Sequence, residues 1–202
     1  MKVSKNTAIV AQGRGMRRTL QVDDLARDTL AQIIEHLRST RNGVKRSQND
    51  LAVGLPVRGR AISEWETGAA EPTLEHLMQL ARELDNQLVL LGPSGDVRTH
   101  PVRRNAGASW QVFERKRLAL PLRNRRLALG LSQDGLGYHV GVSRDSIRRW
   151  ELARVPPRPI ALIVWAQKLE YTLAVRPVDI SEGTGGSRRR LRQLGRQPEL
   201  AG

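Results

Sequence analysis

Cysteine is absent from the 202 residues, which excludes disulfides, thiolate metal sites and thiol nucleophiles together. Long apolar runs are absent too. Nothing approaches the roughly 20 residues that a helix needs to cross a bilayer, and residues 1–20 lack the apolar centre of a signal peptide, so a cytoplasmic chain without a membrane partner is expected. The few histidines, His36, His76, His100 and His139, are scattered, and none shares metal-ligand spacing with a carboxylate. No glycine-rich phosphate loop follows a strand, and no carboxylate cluster of the nuclease kind can be assembled. The expectation is therefore no catalytic residue, no metal, no cofactor and no enzyme. Acidic residues are outnumbered as well, 20 against 34 Lys plus Arg, a net charge of +14. Such an excess favours a polyanionic partner through counterion release and steering, and nucleic acid is the obvious one.

What is present is a dense motif at residues 131–151. Ser132 and Ser143 are strong N-caps, and Gly141 permits a tight reversal between them, so two short helices should meet at a fixed turn. Leu136 and Val140 form one apolar edge, Ile147 and Trp150 another. Arg144, Asp145, Ser146, Arg148 and Arg149 are left facing outward. Basic and hydrogen-bonding side chains outside, with apolar ones holding the helix down, suit the major groove of DNA. The run Ser132-Gln133, then Gly141-Val142-Ser143, then Ile147-x-x-Trp150-Glu151 resembles the helix-turn-helix of the Cro and phage-repressor family, also called the xenobiotic-response-element family.

The chain repeats itself at an offset of 85 residues, which carries Trp65-Glu66 onto Trp150-Glu151 and runs without a gap from 37–93 to 122–178. Leu37, Arg38, Arg41, Ser47, Gln48, Leu51, Val57, Ile62, Pro72, Leu77, Ala81, Leu84 and Leu88 all meet their own residue type. A fixed period of this kind marks a duplicated structural unit. The first copy is thus a second helix-turn-helix, with helices expected at 48–55 and 58–65, although Pro56 stands where the family prefers Gly and Gly59 where a side chain would reach out. A core helix follows in each copy (Leu74, Leu77, Met78, Ala81, Leu84; Ile160, Ile163, Val164), then a short β-favouring run at 87–91 and 171–175.

The expected architecture is all-α: two tandem lambda-repressor-like helix-turn-helix domains joined by a basic linker, with the β-favouring runs open to a strand-like form that pads the domains together. The boundaries read as a disordered basic arm at 1–20, a first domain at 21–91, a partly helical basic linker at 92–117, a second domain at 118–178 and a disordered basic tail at 179–202. Around the linker Arg103, Arg104, Arg115, Lys116, Arg117, Arg123, Arg125 and Arg126 stand against Glu114 alone. That segment is expected to track the DNA backbone, and a solvated helix face is the plain alternative. The arm reads equally as a solvated tail or as a basic arm on DNA.

The resemblance implies roles residue by residue. Gln48 and Gln133 match the family's backbone anchors at helix N-termini. Arg144, Asp145 and Arg149 match its base readers, with Ser143, Ser146 and Arg148 beside them; Arg to guanine and Asp to cytosine predict a G·C-containing site. In the first unit the corresponding set is Arg58, Arg60, Ser63 and Glu64, with Glu64 free to pair with a neighbour instead. Arg158 falls where the family touches the DNA backbone. The pairs Arg41 with Glu66 and Arg126 with Glu151 are structural, and Trp65 and Trp150 are core.

Because the recognition residues differ between copies, one chain is expected to read an asymmetric bipartite operator, monomeric on double-stranded DNA. The leading function is a sequence-specific transcriptional repressor. Its tandem form and Arg-, Ala- and Gly-rich composition resemble immunity repressors of temperate actinobacterial phages, and no room is seen for the self-cleavage domain of lambda-type repressors. The alternative is an adaptor or antitoxin-like regulator, in which one helix-turn-helix binds DNA and the other a protein.

Overall fold

A computed structural model describes residues 18–102, 107 and 109–178. Among them the chain forms α1 (Asp24–Gly43), α2 (Gln48–Gly54), α3 (Gly59–Glu66), α4 (Leu74–Glu83) and β1 (Asn86–Leu91), followed by α5 (Trp110–Ala128), α6 (Gln133–Val140), α7 (Arg144–Glu151), α8 (Pro159–Gln167) and β2 (Thr172–Pro177). The second set repeats the first element for element. Side-chain caps set most helix starts, with Asp23, Ser47, Thr73, Ser109, Ser132 and Ser143 each accepting a backbone N–H from the first turn. Ser47 and Asp50 complete a reciprocal capping box. The two starts without a side-chain cap are Arg58 and Arg158.

Helix α5 crosses the boundary drawn at 117–118 without a break. Ser109 starts it, and it runs on through Pro121, whose ring removes one helical N–H. Pro121 is buried, so packing holds the helix together there. At the end of α6, Gly141 adopts φ +84°, the left-handed conformation that glycine reaches at least cost. The first unit turns differently. Leu55 ends α2 at φ −115°, so no left-handed residue is required and Pro56 fits the path.

The β-favouring runs are strands, and they pair with each other. β1 and β2 form a two-stranded antiparallel sheet in the register Leu88 with Val175, Val89 with Ala174 and Leu90 with Leu173. The pairing joins the two halves of the chain. Leu88, Leu90, Leu173 and Val175 are all buried, and one continuous apolar core runs from Ala26 in α1 to Val175 in β2. Helix α1 packs on α8 and on β2, while α4 and β1 pack on α5. The two units are therefore fused into one body.

Candidate nucleic-acid interface

Each unit holds its recognition helix with the same polar cage. In the first, Arg41 Nε and Nη2 donate to the two carboxylate oxygens of Glu66 at 2.7 and 2.9 Å, Arg41 Nη1 donates to the Arg46 carbonyl, and Gln48 Nε2 donates to Glu66 Oε2 at 2.7 Å. In the second, Arg126 grips Glu151 at 2.5 and 3.0 Å and donates to the Leu131 carbonyl, while Gln133 Nε2 donates to Glu151 Oε2 at 2.8 Å. Every member maps onto its counterpart at the offset of 85. The bidentate fork fixes the end of the recognition helix against the first helix of the unit. Burial pushes the Glu66 carboxyl up, but hydrogen bonds from Arg41 and Gln48 and the charges of Arg41 and Arg38 outweigh it, leaving it below the usual carboxylate range. Ser47 likewise holds the Asp50 carboxyl low through side-chain and backbone hydrogen bonds.

The cage also orients the two glutamines. A carboxylate can only accept, so the amide must turn its NH2 group toward Glu66 or Glu151, which leaves one N–H of each glutamine for another acceptor such as a phosphate oxygen. Both glutamines are half-buried at the first residue of their helices.

Outside the cage the two recognition helices differ. On α7, Arg144, Asp145, Arg148 and Arg149 are exposed, and Asp145 sits 2.7 Å from the Arg149 guanidinium and 4.0 Å from that of Arg148. Ser143 and Ser146 serve the helix itself: the Ser143 hydroxyl accepts from the Ser146 N–H and lies 2.9 Å from the Ser146 hydroxyl. On α3, Arg60 Nε donates to Glu64 at 2.8 Å, so the expected neighbour pairing of Glu64 is present, and Ser63 is half-buried beside it. Arg58 occupies the capping position without capping, and a side chain at Gly59 would run into the carboxamide of Asn49. The α3 surface is thus smaller and closer to neutral than that of α7.

Arg158, the basic stretch near 115 and the end of the arm each make contacts within the chain. Arg158 donates through Nε and Nη2 to one carboxylate oxygen of Glu71 in the first unit, whose other oxygen accepts the Ile160 N–H at 2.8 Å. Glu71 thus caps α8 from across the junction, where α8 has no side-chain cap of its own. In the basic stretch near 115 two arginines are tied within the chain. Arg115 pairs with Glu75 at 3.0 Å, and Arg117 pairs with Glu114 and donates to the Leu88 carbonyl. Arg103 and Arg104 lie outside the described residues. So do 1–17 of the basic arm, but Arg18 bonds Asp134 at 2.9 Å and the Val142 carbonyl at 3.0 Å, and the Gln21 N–H bonds the Val140 carbonyl. The end of the arm is therefore seated on the α6–α7 turn of the other unit. The tail at 179–202 also lies outside the described residues.

Tyr138 is a surface group that the sequence did not bring forward. It is 71% exposed on α6, edge-on to His139, and its repeat counterpart Val53 is 89% exposed. An apolar residue at the same register in both copies, outside the core periodicity, was the available signal. Among the described residues no cluster of His, Asp and Glu could hold a metal ion, and no helix is long and apolar enough to cross a membrane.

Comparison with known families agrees with this geometry. Residues 37–91 match the family described as helix-turn-helix, and residues 117–176 match that described as helix-turn-helix domain. No curated protein and no solved structure matches the chain.

Proposed function

With two helix-turn-helix domains of the Cro and phage-repressor type as its folded halves, the chain is a DNA-binding regulator, and we propose that it is a sequence-specific transcriptional repressor reading a bipartite operator. The observation that carries this reading is the duplicated cage under unlike surfaces: Arg41, Glu66 and Gln48 against Arg126, Glu151 and Gln133 hold two helices in one manner, while their outward residues diverge. A frame kept twice is a frame for presenting side chains. In the second unit Arg144 and Arg149 are the base readers, Asp145 orients Arg149 or accepts from cytosine, and Arg148 meets phosphate. In the first, Arg58 and Arg60 reach the groove. Gln48 and Gln133 donate their second N–H to phosphate, whereas Ser143, Ser146 and Arg158 act in the frame. The tandem form, similar to immunity repressors of temperate actinobacterial phages, makes maintenance of lysogeny the setting in which such a repressor would work.

The ion pair that neutralises Arg60 and the exposed Val53 favour one other reading, an adaptor whose first unit binds a protein. Selection of sites from random duplex DNA with the full chain separates the two. A long motif whose one arm changes in Arg58→Ala/Arg60→Ala supports two DNA readers. A short motif indifferent to that double variant supports the adaptor.

A further inference from the structure

The offset of the repeat and the register of the sheet carry a symmetry. Val89 pairs with Ala174, and Ala174 is the residue that lies 85 positions on from Val89. Leu88 pairs with Val175 and Leu90 with Leu173; the offset turns Leu88 into Leu173 and Leu90 into Val175, so each pair is exchanged for the other. A ladder that maps onto itself by exchanging its strands has a two-fold axis through its centre, as at the isologous interface of a homodimer. The helices obey the same exchange. Helix α1 packs on α8, and its counterpart α5 packs on α4, the counterpart of α8; α1 packs on β2, and α5 on β1. The polar contacts at the junction are not symmetric: Glu71 caps α8 while Arg115 holds Glu75. The axis is therefore approximate, and the chain is a dimer of unlike halves made from one polypeptide.

From this we infer that the operator is an imperfect inverted repeat, with its two unlike arms at one fixed spacing and occupied by a single chain. The inference rests on the reading of both units as DNA readers. Two independent domains on a string could meet arms in either orientation and at many spacings. A two-fold axis instead presents α3 and α7 with opposite polarity, and on one duplex such helices meet half-sites that run in opposite directions. Among the described residues no hydrogen bond or ion pair ties the outward side chains of α3 or α7 to the other unit, and residues 18–21 meet the turn before α7. The arms differ in sequence because Gly59, Arg60 and Glu64 stand in one unit where Arg144, Asp145 and Arg149 stand in the other.

The test uses the full chain and the motif obtained by selection. Arg60→Ala and Arg149→Ala, both at exposed positions, assign each arm to its helix by the arm whose preference relaxes. Fluorescence anisotropy and sedimentation are then measured on duplexes with the native arrangement, with one arm reversed into a direct repeat, and with the arms moved apart by about half a helical turn. The expected result is one chain per native duplex, and at least about a tenfold loss when an arm is reversed or displaced. Equal affinity for direct and inverted arms, two chains per operator, or one chain bridging two duplexes would overturn the inference while leaving two DNA readers in place. A motif that responds to Arg149→Ala alone would show instead that the two-reader function itself is wrong.

Discussion

Glu151 is buried together with the guanidinium that grips it, the side chain being 2% exposed and that of Arg126 7%. Removing one partner strands the other charge in a poorly solvated site, which costs about 3 kcal/mol or more. Glu151→Ala should lower stability by that order in urea denaturation, and Arg149→Ala, on the open face of the same helix, by far less. Glu66 adds a pH dependence whose direction is fixed. Its carboxyl is held below its ordinary value of 4.5 in the folded chain, so the unfolded chain takes up the proton first as pH falls. The stabilisation is complete above the unfolded value and is lost as pH drops through the lowered folded one. Glu66→Gln should flatten that part of the stability profile below about pH 4.5; a profile unchanged by the substitution would dissociate Glu66 from acid lability. Gly141 is constrained from two sides. A Cβ there would lie 1.9 Å from the Thr19 carbonyl oxygen, and φ is +84°. Gly141→Ala should cost at least about 1 kcal/mol and release residues 18–21 from the turn, seen as faster amide exchange at Gln21.

The helices α3 and α7 divide what is common from what is specific. Their inward residues, Ile62 with Trp65 and Ile147 with Trp150, follow the three-residue spacing of a helix held by one face. Their outward residues set what each can read. In the free chain Arg149 is held by Asp145 and Arg60 by Glu64, pairs exposed enough to break at little cost on meeting DNA. Arg144→Ala and Arg149→Ala should each weaken operator binding by about 1–3 kcal/mol and relax the preference for guanine at one position. Arg148→Ala should weaken binding evenly across sequences and reduce its salt dependence, which binding measured at several salt concentrations distinguishes.

The whole molecule unfolds as its core dictates. Because β1 and β2 complete each other and α1 covers α8, neither half keeps its apolar surface buried alone. One cooperative transition is expected. With Trp65→Phe, fluorescence reports on Trp110, Trp150 and Trp165 of the second half, and its midpoint should coincide with that of helix loss by circular dichroism. Leu173→Asp, at a position 1% exposed in the strand, should destabilise both halves together. Two separated transitions would mean that the junction does not couple them.

Much of this was legible in the residues themselves. Capping serines, the Gly141 turn, the apolar spacing and the offset of 85 are local or internally repeated signals, and each specifies a short-range geometry that the backbone must satisfy. The pairing of Arg41 with Glu66 and of Arg126 with Glu151 was legible through the resemblance to the Cro and phage-repressor family, whose matching pair ties the first helix to the end of the recognition helix. What the sequence could not state was the partner of each strand and of each long-range charge. Residues 87–91 show β propensity without saying what they pair with, since a strand's hydrogen bonds are satisfied by another segment and not by its own neighbours. Glu71 and Arg158 are far apart in the chain, and nothing in the basic run at 115–117, read as tracking a DNA backbone or as a solvated face, announces that Arg115 pairs with Glu75 of α4. The sequence by itself therefore determined two helix-turn-helix units and the side chains each presents. Only the tertiary structure decided that the units share one sheet and one core, because burying two incomplete apolar faces against each other removes more surface from water than either could bury alone.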